Sequence, residues 1–158
     1  MGDAAFEANA TEFVYAAARL LTLFVAAVPG TFMLLDALRV LPLSPSMSLV
    51  SLVEGGFGED RYQMLSSRVG TTRSTFLATN GLLLHACTIL VWTHPLLGLE
   101  RLGGLVLLVV FLADAGFRHS IGDDVVLPLV AATTSSLLVL KPWAVAMAQA
   151  RRARPHAE

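Results

Sequence analysis

Charged residues are scarce in this chain and unevenly placed. Only 15% of its 158 residues are Asp, Glu, Lys or Arg, whereas soluble domains carry roughly a quarter. Almost all of these charges lie in gaps between long apolar runs. A soluble helical domain would instead place charge on the outward face of each helix. The distribution therefore excludes an ordinary soluble fold.

Cysteine and concentrated positive charge are also nearly absent. Cys87 is the single cysteine, so an internal disulfide bond is excluded. The formal net charge is −1, and because phosphate binding needs clustered Lys and Arg, we expect no nucleic acid partner. The one local excess of arginine, at residues 151–154, follows the last apolar run. Such an excess is typical of an anchor that faces lipid phosphates.

Recognisable catalytic motifs are missing as well. The sequence has no Gly-x-Ser-x-Gly elbow, P-loop, dinucleotide fingerprint, His-Glu-x-x-His or Cys-x-x-Cys. His85 and Cys87 face different directions on one predicted helix, whereas a metal needs three or four converging ligands. We therefore predict no catalytic residue, no metal and no cofactor. For His85 we expect a hydrogen bond to a hydroxyl on a neighbouring helix.

Four apolar stretches are long enough to cross a bilayer, which takes about 20 helical residues. They cover residues 13–35, 76–97, 99–117 and 124–147. A loop over residues 36–75 separates the first two, and within it we predict a short surface helix at 59–68. The very short connection between the second and third stretches predicts an antiparallel hairpin. The sequence thus predicts one domain over residues 1–158, an all-α, polytopic membrane protein with a four-helix transmembrane bundle.

Polar residues collect at one end of this predicted bundle. Antiparallel alternation brings together the end of the first helix, the start of the second, the end of the third and the start of the fourth. That end holds Asp36, Arg39, Arg73, Asn80, Asp114, Arg118, His119, Asp123 and Asp124. An ionisable group in hydrocarbon costs roughly 2.5–3.5 kcal/mol on insertion scales, so each needs a partner or a function.

Two interpretations of this cluster are open. It is a polar pocket that binds a headgroup, a quinone or a sterol hydroxyl, or it is a set of ion pairs that only neutralise the helix ends. Asp114 and Arg118 are spaced i, i+4 with the acid first, which is the favourable orientation on a helix. Asp36 and Arg39 are spaced i, i+3. This spacing favours the second interpretation.

From about residue 65 onward the chain resembles the ergosterol biosynthesis scaffold family of small four-helix endoplasmic reticulum proteins. Arg73-Ser74-Thr75-Phe76 is similar to the family's Arg-Thr-Phe-Gly, and Phe111-Leu112-Ala113-Asp114 is similar to its Phe-Leu-Ser-Glu. Pro128-Leu129-Val130-Ala131-Ala132 is similar to its Pro-Leu-x-Val-Ala run. DoxX-like four-helix membrane proteins show a comparable layout. The first resemblance implies a non-catalytic tether of sterol-synthetic enzymes in the endoplasmic reticulum membrane.

Three classes of function follow. The missing motifs and small extramembrane parts favour a membrane scaffold or accessory subunit of a lipid or sterol biosynthetic complex. Its partners would be the lipid bilayer and other membrane enzymes. The alternative is a small membrane enzyme or redox accessory that acts on a lipid-soluble substrate at the polar cluster. A transporter or channel would require an oligomer, because four helices enclose little pore.

Overall fold

Five helices make up the part of the chain that the structure describes. The structure is a computed structural model that describes residues 2–38, 40, 58–93 and 98–152. The helices are α1 (Gly2–Ala37), α2 (Gly58–Val69), α3 (Arg73–Thr93), α4 (Leu99–Ser120) and α5 (Val126–Arg152). The all-α prediction is confirmed.

The four long helices pack in a ring. Helix α1 contacts α3 and α5, and α4 also contacts α3 and α5. The core between them is built from small and medium-sized apolar side chains, including Ala26, Leu84, Leu107 and Leu138. The short helix α2 packs against α3. Its Tyr62 forms a second, smaller cluster with Leu77 and with partly buried residues of α1 and α3.

Glycines let the long helices approach closely. A Cβ atom added at Gly81 of α3 would lie 2.9 Å from the carbonyl oxygen of Gly30 in α1. A Cβ atom at Gly103 of α4 would lie 3.0 Å from the Cys87 carbonyl oxygen, and one at Gly104 would lie 3.2 Å from Leu138 Cβ of α5. Small residues at helix crossings are typical of packing within membranes, where van der Waals contact stabilises helix association.

Three helices are long and apolar enough to cross a membrane, as expected of a membrane protein. These segments are Ala10–Ala37, Arg73–Trp92 and Val126–Met147. Helix α4 is not among the three. Charged residues near both of its ends make residues 102–113 its longest run without Asp, Glu, Lys, Arg or His. The predicted third span, 99–117, carries three charged residues, Glu100, Arg101 and Asp114, which is more than any of the other three predicted spans.

The helices extend beyond several predicted bounds. Helix α1 begins at Gly2 rather than at residue 13 and continues through Pro29, and α5 continues to Arg152 rather than to residue 147. The predicted bounds follow the apolar run, whereas the backbone hydrogen bonds of a helix continue into polar residues at either end. The short helix predicted at 59–68 forms as α2. Residues 39, 41–57 and 94–97 lie outside the described residues.

A tight turn fixes α2 against α3. Gly70 has φ +73°, and its N–H donates to the Ser67 carbonyl oxygen at 3.2 Å while the Thr71 N–H donates to Ser66 at 2.9 Å. This pair of bonds ends a helix on a left-handed glycine. The Thr72 hydroxyl then accepts a hydrogen bond from the Thr75 N–H at 3.2 Å and caps the start of α3. Helix α2 is thereby placed beside the end of the bundle that holds the polar residues.

Candidate functional site

A cavity of about 290 Å³ lies at this end of the bundle. Each long helix lines it with residues spaced three or four apart, because such residues share one helix face. Helix α1 contributes Val25, Pro29 and Met33, and α3 contributes Phe76, Asn80 and Leu84. Helix α4 contributes residues from Val110 to Arg118, and α5 contributes Leu127, Pro128 and Ala131. The walls are therefore mostly apolar.

Three polar side chains of the long helices line the cavity. These are Asn80, Asp114 and Arg118, which the sequence analysis had placed in the polar cluster. Asp114 precedes the last residue of α4 by six positions, and Val110 and Leu84 lie deeper in their helices. At a rise of about 1.5 Å per residue, Val110 lies roughly 12 Å below Arg118 along α4. Arg118 therefore lies near the mouth of the cavity, Asp114 and Asn80 lie partway along it, and the deepest part is apolar.

Arg118 is a buried cation held by acidic residues. Its Nε donates to Asp114 Oδ2 at 2.9 Å, and its Nη1 lies 3.9 Å from Asp123 Oδ2. Nη1 also donates a long hydrogen bond, 3.5 Å, to the Asp124 carbonyl oxygen. Arg118 is only 5% exposed. A guanidinium buried to this degree requires such partners, because leaving it unpaired would cost several kcal/mol.

The turn between α4 and α5 brings Asp123 to Arg118. Gly122 has φ +73°, and the Asp123 N–H donates to the Arg118 carbonyl oxygen at 2.9 Å. This is the same glycine-ended turn as at Gly70. Asp124 Oδ1 then accepts a hydrogen bond from the Val126 N–H at 2.8 Å, which caps the start of α5. Local sequence therefore sets the position of the acid beside Arg118.

Asn80 lines the cavity with an amide side chain. Its Nδ2 donates to the Phe76 carbonyl oxygen of its own helix at 2.9 Å. Since a backbone carbonyl can only accept, this bond fixes which end of the amide is nitrogen. This bond uses one of the two Nδ2 hydrogens and does not involve Oδ1.

Helix α2 covers part of the cavity. Tyr62 and Leu65 line it, and the Tyr62 ring lies 6.4 Å from the Phe76 ring, centroid to centroid. Arg68 places its guanidinium carbon 5.3 Å from the centroid of Phe117, another lining residue. Such a cation–π contact is worth about 0.5–1 kcal/mol at an exposed site. The sequence analysis predicted α2 but not these contacts, since no pattern in α2 indicates which long helix it meets.

The other predicted cluster residues do not join the cavity lining. Asp36 of α1 pairs with Arg73 of α3, with Arg73 Nη2 2.7 Å from Asp36 Oδ2. This pair crosses between helices, whereas the sequence analysis had pointed to Arg39, which lies outside the described residues. His119 is exposed. The cluster is therefore divided into an α1–α3 pair and the Asp114–Arg118–Asp123 group.

Charged residues at the opposite end of the bundle are also paired. Arg19 of α1 donates to the carbonyl oxygen of Val91 at 2.9 and 2.7 Å and to that of Trp92 at 2.6 Å. It therefore satisfies the last carbonyl groups of α3, which have no partner within their own helix. Lys141 Nζ lies 3.9 Å from Oε2 of the buried Glu100. The sequence analysis did not predict the bonds of Arg19.

His85 forms the expected hydrogen bond to a hydroxyl, and the hydroxyl belongs to α1. Thr31 Oγ1 lies 3.3 Å from His85 Nε2 and donates its own hydrogen to the Ala27 carbonyl oxygen at 2.8 Å. His85 Nε2 must therefore carry the donated hydrogen. Among the described residues, no group of three or more His, Cys, Asp or Glu side chains could hold a metal ion.

Comparisons with known proteins do not extend these observations. No protein-family model, no curated protein and no solved structure matches the chain.

Proposed function

We propose that this chain is a four-span membrane protein that binds a small, lipid-soluble, amphipathic molecule in the cavity between its helices. The observation that carries the proposal is the cavity itself, with its apolar walls and its three polar residues Asn80, Asp114 and Arg118. Binding sites for small molecules are typically concave and mostly apolar, with a few polar groups that orient the ligand. Asp114 and Arg118 support the binding interpretation of the polar cluster because both line the cavity.

Two observations support a membrane-spanning role for α4. Its outward side carries Leu102, Leu105, Val109 and Leu112, each about half exposed, and an apolar stripe of this kind suits lipid contact better than water. Two of the charged residues near its ends are buried, since Glu100 lies beside Lys141 and Arg118 beside two acids. Its 22 residues extend about 33 Å, enough to cross the hydrocarbon layer.

Membrane topology tests the number of spans. Four crossings place both chain termini on the same side of the membrane, whereas crossings by α1, α3 and α5 alone place them on opposite sides. A reporter that is modified on only one side is fused to either terminus, and the two fusions are compared. Opposite modification of the two fusions would refute a spanning α4.

The volume of the cavity limits the size of the ligand. An apolar cavity of about 150 Å³ holds one benzene molecule, and the present cavity is about twice that size. It can therefore enclose a molecule of about a dozen non-hydrogen atoms, or one end of a longer lipid. A larger molecule would extend out of the cavity.

Filling the cavity tests the binding proposal. Ala131 is buried in its wall, so we expect Ala131→Leu to displace the ligand while the helix content stays unchanged. Ala86 is exposed on α3, and Ala86→Leu is the matched control with the same added atoms. Protein purified from its native membrane is released from detergent in a mass spectrometer, and bound small molecules are identified. The wild type and Ala86→Leu should carry the same molecule, and Ala131→Leu should not.

Two results would contradict the proposal. One is a wild-type protein that carries no small molecule, and the other is an identical molecule retained by Ala131→Leu. Because leucine could disturb the bundle, Ala113→Leu provides a second variant at a cavity-lining residue, on α4 instead of α5. A far-ultraviolet circular dichroism spectrum and a single elution peak identify the variants that are folded.

The scaffold role, the tethering of sterol-synthetic enzymes and the endoplasmic reticulum location stay predictions from the sequence. The exposed apolar helix faces suit either lipid or a membrane partner. Recovery of membrane enzymes with the chain in mild detergent tests the scaffold role, and a stable monomer recovered alone would contradict it.

A further inference from the structure

We infer that the cavity has a side opening into the lipid, at Ala113 between α3 and α4, and that its ligand is a membrane lipid that inserts a hydrocarbon chain there. This inference rests on the proposed binding function. It follows from the exposure of the lining residues, from the faces of α4 that they occupy and from their depth in the membrane.

Exposure differs along the cavity wall. The mouth beside Arg118 is covered by buried side chains, since Arg118 is 5% exposed, Tyr62 of α2 is 4% exposed and the Asp123 side chain is 3% exposed. Among the described residues that line the cavity, two are exposed, Ala113 of α4 and Leu127 of α5. These two residues therefore mark the candidate openings.

Ala113 lies on the edge of α4 that borders α3 and the outer surface. Gly103 marks the side of α4 that faces α3, since a Cβ atom there would lie 3.0 Å from the Cys87 carbonyl oxygen. Gly104, about 100° further around the helix, faces α5. Ala113 lies about 80° from Gly103 in the opposite direction, away from α5. Because Ala113 is exposed and also lines the cavity, the cavity reaches the outer surface between α3 and α4.

The gap between α3 and α4 is closed at both of its ends. The glycine crossing closes it at one end. At the other end α2 contacts both helices. Its Tyr62 ring lies beside the Phe76 ring of α3, and its Arg68 lies over Phe117 of α4. The side opening at Ala113 lies between these two closures.

In the proposed four-span arrangement, the side opening lies within the hydrocarbon layer. Helix α4 runs from Leu99 to Ser120, and Ala113 lies about 5 Å from its midpoint in a layer that is roughly 30 Å thick. Leu127 lies in the first turn of α5 and therefore near the membrane surface. Lipid chains thus surround the side opening, whereas headgroups and water surround Leu127.

A hydrocarbon chain suits the part of the cavity that the side opening reaches. Deeper than Ala113 the wall is apolar, and it is lined by Leu84, Val110 and Phe111. Water would find too few hydrogen-bond partners there. Since van der Waals contact stabilises packing within membranes, a chain that fills this space gains contacts that an empty cavity lacks. The polar end of the lipid stays toward the membrane surface, on the side of Arg118.

Quenching by brominated lipid tests for a chain in the cavity, because bromine atoms on a lipid chain quench tryptophan fluorescence on contact. Trp92→Phe and Trp143→Phe remove both native tryptophans, and Phe111→Trp then reports on the cavity. The full chain is reconstituted in dioleoylphosphatidylcholine or in the same lipid brominated at its double bonds. We expect Phe111→Trp to lose nearly as much fluorescence as Phe24→Trp, whose position is 65% exposed on α1. Leu107→Trp, at a buried position that does not line the cavity, should lose much less.

Matched variants test the route. Vesicles that hold the Phe111→Trp reporter are fused with brominated vesicles, and the onset of quenching is followed over time. Ala113→Phe narrows the side opening and should slow this onset. Leu112→Phe, at the exposed neighbouring residue that does not line the cavity, should leave it unchanged. Leu127→Ala widens the other candidate opening and should also leave it unchanged.

The outcomes separate this inference from the binding function. If Phe111→Trp is quenched no more than Leu107→Trp, no lipid chain enters the cavity and the inference is wrong. Because tryptophan at position 107 must fit into the core, Phe111→Trp combined with Ala131→Leu supplies a second comparison, and its quenching should fall. If Ala113→Phe leaves the onset unchanged, or Leu127→Ala speeds it, the side opening is not the route. The binding function itself is wrong only if the wild-type protein also carries no small molecule that Ala131→Leu loses.

Discussion

Replacing Gly81 by alanine should push α1 and α3 apart at their closest crossing. The added Cβ would lie 2.8 Å from Leu34 Cγ and 2.9 Å from the Gly30 carbonyl oxygen. A leucine side chain can rotate away, but the carbonyl belongs to the backbone of α1 and can move only with its helix. Ordinary van der Waals contact begins at 3.4 Å, so the helices must separate by about 0.5 Å, the difference between 3.4 and 2.9 Å.

The expected loss of stability is the balance of two terms. Overpacking a tight contact costs about 1–3 kcal/mol, while alanine gains up to about 1 kcal/mol over glycine in a helix. Gly116 of α4 supplies the control, because a Cβ atom there meets nothing within 4 Å. Gly116→Ala therefore includes the gain in helix propensity without the cost of overpacking. We expect Gly81→Ala to have a free energy of unfolding lower than that of Gly116→Ala by about 1–3 kcal/mol.

Reversible unfolding in mixed micelles measures this difference. The purified chain is titrated with a denaturing detergent, and helix content is followed by circular dichroism for the wild type and both variants. Equal stability of Gly81→Ala and Gly116→Ala would refute the close α1–α3 crossing. Because Pro29 and Asn80 adjoin the two glycines and line the cavity, the same displacement should also weaken ligand retention in Gly81→Ala.

Three further predictions concern the paired charges. Asp36→Asn and Arg73→Gln should each lower stability, and the double variant should lose about 1 kcal/mol less than the sum of the two, as measured by a double-mutant cycle; strictly additive losses would contradict the pair. Arg19→Gln should lower the free energy of unfolding by about 1.5–3 kcal/mol, because three charged hydrogen bonds to α3 disappear. The control Arg101→Gln, at an exposed residue, should stay within about 0.5 kcal/mol of the wild type. Equal melting temperatures for the two variants would show that the bonds of Arg19 to the end of α3 do not stabilise the protein. Arg68→Gln should speed hydrogen exchange of α2 amides by roughly two- to fivefold and leave α4 unchanged, and an unaltered exchange rate in α2 would exclude the contact with Phe117.

The sequence predicted the helices and the end of the bundle at which polar residues gather, because both depend on apolar runs and antiparallel order. It also predicted the Asp114–Arg118 ion pair, because both residues lie one turn apart on the same helix. The Asp36–Arg73 pair could not be predicted, since it depends on how α1 and α3 are rotated about their axes. The cavity exists because the side chains between the four helices do not fill the space there. The spacing of apolar residues along the sequence does not predict such a gap.

The contacts of Arg19 show a different limit. An arginine within an apolar run indicates that some partner exists, but here the partners are backbone carbonyls at the end of another helix. Such acceptors are present at every helix end and carry no sequence signature. Which helix end the Arg19 side chain reaches depends on how α1 and α3 are positioned relative to each other along the bundle axis.

The glycine-ended turn at Gly122 has a mechanical consequence. It joins α4 to α5, and within its few residues the chain also binds the Arg118 carbonyl oxygen, presents the Asp123 carboxylate and caps the next helix through Asp124. A hinge so short cannot bend without displacing the guanidinium beside it. Any rocking of α5 against α4 would therefore be transmitted to the mouth of the cavity, and a molecule seated there would in turn restrict the angle between the two helices.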